Sequence, residues 1–132
     1  EHSAVNHALN YGYKILASYI SKCIASRGML TQLGIHHIGE SNPFNLTYDF
    51  IEPFRAVVDA WVFLYIRDSF TVEHKKTLIN ITMAKVYMDG KWLRLCNAIE
   101  KMIDAYIAFL SDETEQLPQL DFKQGIKLYG EE

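Results

Sequence analysis

Residues 45–67 read NLTYDFIEPFRAVVDAWVFLYIR, and the fold turns on how they are taken. Phe50, Phe54, Val57, Val58, Trp61, Val62 and Tyr65 recur at spacings of three and four. That is the apolar stripe of an amphipathic helix over about 46–67. Asn45, Asp49, Glu52, Arg55, Ala56 and Asp59 form the opposite stripe, with Asn45 as the cap. Pro53 lies well past the first helical turn. It has no N–H to offer the Asp49 carbonyl, and an interior proline costs about 3 kcal/mol. The kink and the freed carbonyl both fall beside Glu52. Broken local rules of this kind concentrate at functional sites, although a bend around the core gives the same pattern.

The flanking segments extend a helical pattern in both directions. Val5, Ala8, Leu9, Gly12, Leu16, Tyr19, Ile20, Cys23 and Ile24 predict a long first helix, capped by Ser3 and stopped by Gly28. Gly12 inside it costs about 1 kcal/mol against alanine, which a close helix–helix approach would explain. Thr71 is the expected cap of a third helix, with Val72, Leu78, Ile79 and either Met83 or Ala84 turned partly inward. KVYMDGKWLRL holds the one strong strand signal, two short runs about Asp89-Gly90. Residues 96–110 predict a fourth helix, with Asn97 and Glu100 at capping-box spacing and Ile99, Met102, Ile103, Tyr106 and Leu110 inward. The expectation is an all-α domain of about four main helices with one small β-hairpin.

The chain has 132 residues, enough for one domain with a real core, and 49% are apolar, which excludes a disordered tail. No run of about 18 apolar residues predicts a membrane span, and no cationic leader marks secretion. Cys23 and Cys96 lie far apart on helical segments and read as buried thiols in a reducing cytoplasm rather than a disulfide or zinc pair. The net charge of −3 argues against a strongly basic nucleic-acid binder. Six of the 16 acids fall in residues 111–132 against two lysines, so residues 1–110 are close to neutral. DNA affinity would then rest on local patches, a metal, or further chain. The acidic segment 111–132 contains Pro118 and reads as an irregular tail. Its scattered Leu117, Leu120, Phe122, Ile126, Leu128 and Tyr129 suit docking, either on a partner or on its own domain.

Asp49 and Glu52 project from one helix face, and Arg55 follows at three residues. The plain reading is a solvated face carrying an ion pair. His37, by itself, reads as a surface loop histidine. If the loop of residues 29–44 delivers His37 to Glu52, one imidazole and one carboxylate meet. That set suits Mg2+ or Mn2+ better than structural zinc, which takes four ligands rich in thiolate or imidazole. A third acid is then required, either Asp49 or a group outside the chain.

Several longer motifs occur in order: ALNYGYKIL, LTQLGIHH, NPFNLTYDFIEPFR and KVYMDGKWLRLCNAIE. Together they resemble the C-terminal helical domain of the CRISPR-associated integrase family, the first-numbered Cas proteins, and most nearly the versions from type II systems. The resemblance implies a metal-dependent DNA endonuclease and integrase of the prokaryotic cytoplasm, inserting new spacers into a CRISPR array by transesterification. It implies that His37 and Glu52 are catalytic metal ligands for Mg2+ or Mn2+, with Asp49 auxiliary, and that Arg55, Tyr48 and His36 lie near DNA. The family's first ligand, a glutamate, precedes the LNYGY segment, so two of three ligands are expected within these residues. By the same resemblance, residues 1–110 are the helical catalytic domain, with the N-terminal β-domain absent, and 111–132 the acidic tail. The implied partners are the spacer fragment and repeat DNA, a second copy in the full-length protein, and a small ferredoxin-like companion, the second-numbered Cas protein. A fragment with two ligands would be weak or inactive alone. The rival reading is a non-catalytic helical interaction module whose polar cluster is a solvated face; a generic helical DNA-binding domain lacks the basic helix face it needs.

Overall fold

The computed structural model describes residues 2–28, 47, 49–110 and 116–128. Among these, four α-helices and a three-stranded antiparallel sheet enclose one core. Helix α1 spans His2–Ser26, α2 Arg55–Tyr65, α3 Val72–Leu78 and α4 Leu95–Leu110. Strands β1 (Lys85–Met88), β2 (Lys91–Arg94) and β3 (Ile126–Lys127) pair in the order β2-β1-β3.

Helix α1 buries Ala4, Ala8, Leu16, Ile20, Cys23 and Ile24, a stripe that winds along its whole length. It packs on α2 and α4. Gly12 sits at the crossing with α2: a Cβ there would lie 2.5 Å from Val58 Cγ1. The close approach expected from a glycine inside the helix is therefore present. Gly28, at φ +66°, closes the helix, and its N–H donates to the Ala25 carbonyl at 3.1 Å. Ser3 does not cap α1; the helix already includes His2.

The single helix expected over 46–67 is corrected by its proline. Helical residues 49–51 run into a 3-10 turn, Glu52–Phe54, and only then does α2 begin. The Arg55 N–H donates to the Glu52 carbonyl, so the chain tightens where Pro53 has no donor. Phe50, Phe54, Val57, Val58, Trp61 and Val62 are all buried, as the stripe predicted, but Tyr65 is exposed. Ile66 ends the helix in extended conformation.

Thr71 caps α3 through a capping box in which His74 stands in for the usual glutamate. The Thr71 N–H donates to His74 Nδ1 at 3.0 Å, and the His74 N–H donates to Thr71 Oγ1 at 3.2 Å. Of the residues expected to turn inward here, Leu78 and Ala84 are buried, while Val72 and Ile79 face solvent.

Strands β1 and β2 form the expected hairpin, with Lys85 opposite Arg94 and Met88 opposite Lys91. Asp89 (φ +51°) and Gly90 (φ +84°) both take the left-handed region, which a two-residue turn of this hand requires. Strand β2 passes straight into α4: the Leu95 N–H donates to the Ala84 carbonyl at 2.6 Å. The capping box expected from Asn97 and Glu100 therefore does not form, because both residues lie inside the helix. Glu100 is used instead by a clamp on α1. Arg27 Nη2 donates to Glu100 Oε1 at 2.9 Å and Arg27 Nε to Asp104 Oδ1 at 2.5 Å; Tyr19 OH donates to Glu100 Oε2 at 2.5 Å. Tyr19 and Arg27 together hold the Glu100 carboxyl below the usual glutamate range.

The tail departs from its irregular expectation over residues 126–127, which form β3 against β1. Pro118 and Leu128 are buried, and Leu120, Phe122 and Ile126 pack on the core. The Asp121 N–H donates to the Tyr87 carbonyl at 2.9 Å and the Asp89 N–H to the Gln119 carbonyl at 3.0 Å. Residues 116–128 therefore close the domain over the hairpin. Cys23 and Cys96 are both free; Cys23 is buried as expected, whereas Cys96 is only half-buried. Among the described residues, no helix is long and apolar enough to cross a membrane.

Candidate functional site

The break at Pro53 leaves Glu52 on an exposed turn, and Arg55 lines a groove against α1. The groove, about 300 Å³, is lined by Asn10, Tyr13, Lys14, Ala17, Ile51 and Arg55. The 3-10 turn leaves the Glu52 side chain 65% exposed. Arg55 Nη1 donates to Glu52 Oε2 at 3.0 Å, the i, i+3 ion pair anticipated from the spacing.

The guanidinium does more than pair. Its carbon lies 4.4 Å from the centroid of the Tyr13 ring, a cation–π contact across the two helices. The Tyr13 hydroxyl in turn donates to Asp59 Oδ1. Burial and the bond to Asp59 raise the Tyr13 pKa, so the phenol stays protonated and remains the donor. Tyr13 and Glu52 raise the Arg55 pKa further, so the guanidinium is a permanent cation. The chain Asp59–Tyr13–Arg55–Glu52 thus fixes one cation beside one carboxylate, with Lys14 and the Asn10 amide on the facing wall.

Glu52 fits a hard divalent cation. Its Oε1 takes no hydrogen bond among the described residues, and carboxylate oxygen is the donor such ions prefer. Asp49 is also exposed but lines a different groove, with Phe50, Pro53, Met102, Tyr106 and Leu117. His36, His37 and Tyr48 lie outside the described residues, so the expected approach of His37 to Glu52 is not described. Among the described residues, no three His, Cys, Asp or Glu side chains converge on a common point.

Sequence reasoning singled out Glu52 and Arg55 and put Asp59 on their helix face. It passed over Tyr13, Lys14 and Asn10 as contributors to the site. Their signal was available in part: Asn10 and Tyr13 flank Gly12, the residue that lets α1 come close enough to reach α2.

The sequence model of the family described as "CRISPR associated protein Cas1" matches residues 1–95. The chain is 33% identical over 128 residues to the "CRISPR-associated endonuclease Cas1" of Neisseria meningitidis serogroup C (strain 8013), covering 91% of this chain and 42% of that protein. It is 32% identical over 108 residues to the "CRISPR-associated endonuclease Cas1 1" of Francisella tularensis subsp. novicida (strain U112), covering 74% and 34%. With the "CRISPR-associated endonuclease Cas1" of Korarchaeum cryptofilum (strain OPF8) it shares 33% over 82 residues, covering 62% and 24%. The chain thus spans less than half the length of each of these relatives.

Proposed function

Because the chain belongs to the CRISPR-associated Cas1 family, we propose that it is the helical catalytic part of a metal-dependent DNA endonuclease and integrase that inserts spacers. The carrying observation is Glu52, held outward by the proline break and flanked by a cation stacked on Tyr13. In this reading Glu52 and His37 hold a Mg2+ or Mn2+ ion, with Asp49 auxiliary and a further glutamate supplied from outside these residues. Such an ion polarises a phosphodiester and lowers the pKa of a bound hydroxyl.

The residues of the chain do the positioning. Arg55 and Lys14 attract the phosphates of a strand entering the groove. The Tyr13 ring holds the guanidinium over its face, and Asp59 holds the ring by its hydroxyl, so the cation is aimed before substrate arrives. Glu52 would hold the ion through its carboxylate, and its ion pair with Arg55 balances charge at the turn. The type II setting accords with the Neisseria and Francisella relatives, and the ferredoxin-like companion is the expected partner of the longer protein.

Integration of a labelled spacer fragment into repeat DNA tests the reading, using the full-length protein with its companion. Glu52→Gln and His37→Ala should each abolish Mn2+-dependent joining while leaving the melting temperature of the protein unchanged. Joining at the parent rate by Glu52→Gln would refute it. The isolated chain should bind Mn2+ weakly and join little or no DNA. A second reading, an interaction module, draws on Phe63, which is 77% exposed over a groove that includes Val5, Leu9 and Val62. It predicts that His37→Ala changes nothing in metal titration.

A further inference from the structure

Helix α1 turns a second face to solvent on the side of α3. A groove of about 530 Å³ runs there, lined by Tyr11, Lys14, Ile15 and Lys22 of α1 and by Ile79 just beyond α3. Among the described residues, no acid lines it. Lys14 and Lys22 are exposed and make no ion pair among the described residues. Lys75 of α3 adds a third cation, its Nζ 5.7 Å from the centroids of both the Tyr11 and Phe70 rings. Glu73 of α3 pairs instead with Lys76 at 3.7 Å, and Glu100, which Tyr19 reaches, is held by Arg27 at 2.9 Å. Apolar surface lies among the cations: Ile79 is 55% exposed and Ile15 half-buried. A chain with 16 acids against 13 bases thus gathers three lysines without carboxylate partners around an apolar strip.

We propose that this groove seats an acidic amphipathic helix of a partner protein, its apolar side on Ile15 and Ile79 and its carboxylates on Lys14, Lys22 and Lys75. The spacing suits a helix. From Lys14 to Lys22 is about 12 Å along α1. Carboxylates seven residues apart on a partner helix share one face and lie about 10.5 Å apart, within reach of flexible lysine side chains. An apolar residue three or four positions after the first acid then falls on the isoleucines. Laying an apolar helix face in such a groove is a recurring mode of peptide recognition, and complementary charge sets its register. The mixed lining selects this occupant. A polyanion without apolar groups would use the lysines and leave Ile79 in water. A purely apolar helix would desolvate ammonium groups and give them no partner. Neither Glu52 nor a metal takes part.

The test is fluorescence anisotropy of a labelled, end-capped peptide titrated with the 132-residue chain. The peptide has about 18 residues, long enough to be helical. It carries glutamates seven residues apart and a leucine four after the first, with alanine and glutamine elsewhere. The parent should bind it, more weakly as salt rises. Replacing the peptide's glutamates with glutamine should weaken binding by about 2- to 30-fold, and so should Lys22→Gln with Lys75→Gln in the protein. Ile79→Ala should weaken it by about 5- to 10-fold, and Ile79→Met should restore most of the loss. Lys91→Gln with Lys123→Gln, cations away from the groove, should change little. Lys14, shared with the Arg55 groove, stays in place throughout. Every substituted side chain is exposed, and circular dichroism confirms that each variant folds. No binding by the parent, an undiminished glutamine peptide, equal losses in the two double variants, or no loss on Ile79→Ala would each overturn the proposal. So would an oligothymidylate that binds the groove more tightly than the peptide and ignores Ile79→Ala.

Discussion

Replacing Gly12 with alanine tests the packing that brings Tyr13 to Arg55. In an exposed helix the change would stabilise by about 1 kcal/mol, because glycine is the poorer helix former. Here the new Cβ would sit 2.5 Å from Val58 Cγ1, 3.2 Å from Cγ2 and 3.4 Å from Cβ. Carbon atoms rest at about 3.5–4.0 Å, so the helices must part by about 1 Å or the valine must turn. Turning is opposed, since valine in a helix holds one χ1 rotamer and Val58 is fully buried. Overpacking of this kind costs about 1–3 kcal/mol, which outweighs the gain in propensity. Gly12→Ala should therefore lower stability by about 1 kcal/mol. The sharper measurement is a double-mutant cycle by urea denaturation. Val58→Ala alone should cost about 2 kcal/mol for two lost methyls and the cavity. In the double variant the new methyl enters the space the valine leaves, so the losses should fall short of additive by about 1–3 kcal/mol. A Gly12→Ala protein that is more stable by the full helix-propensity gain would refute the close approach. So would a cycle additive within about 0.5 kcal/mol.

Leu128→Ala should cost about 2–5 kcal/mol in urea denaturation, because Leu128 is buried at the end of the segment that closes the sheet; a loss under about 0.5 kcal/mol would mean the tail is not part of the core. Gly90→Ala should lower stability by about 1–2 kcal/mol, since its φ of +84° is unfavourable for a side chain although the space around it is open. Glu100 has a lowered pKa in the folded state, so its contribution is present above the ordinary glutamate value and is lost as pH falls through the folded one. Glu100→Gln should accordingly flatten the decline of stability below about pH 4, measured by thermal melting across pH. Tyr13→Phe should leave the fold intact and weaken Mn2+-dependent joining by the longer protein, because Arg55 loses the ring's anchor to Asp59; unchanged joining would show that the ring alone suffices.

Periodicity and local chemistry made much of this protein legible before any coordinates. The buried stripes of α1 and α2 follow from spacing, because a helix that turns every 3.6 residues must present those side chains to one side. Asp89-Gly90 specified its turn because few residue pairs accept two positive φ angles. Gly12 announced a close contact, and Pro53 a break beside Glu52, because each violates a rule of helix interiors. What no local pattern contains is the partner of each element. Tyr13 and Asp59 are 46 residues apart, and their hydrogen bond exists only where α1 crosses α2. Glu100 has capping-box spacing from Asn97, yet β2 feeds α4 without a break, and the carboxylate turns to Arg27 and Tyr19 instead. Strand β3 is two residues long, too short for an alternating pattern, so its pairing with β1 was decided by the hairpin's open edge and the burial of Leu128. The carboxylate and cation of the candidate site could be read from the chain; the ring that aims the cation required the fold.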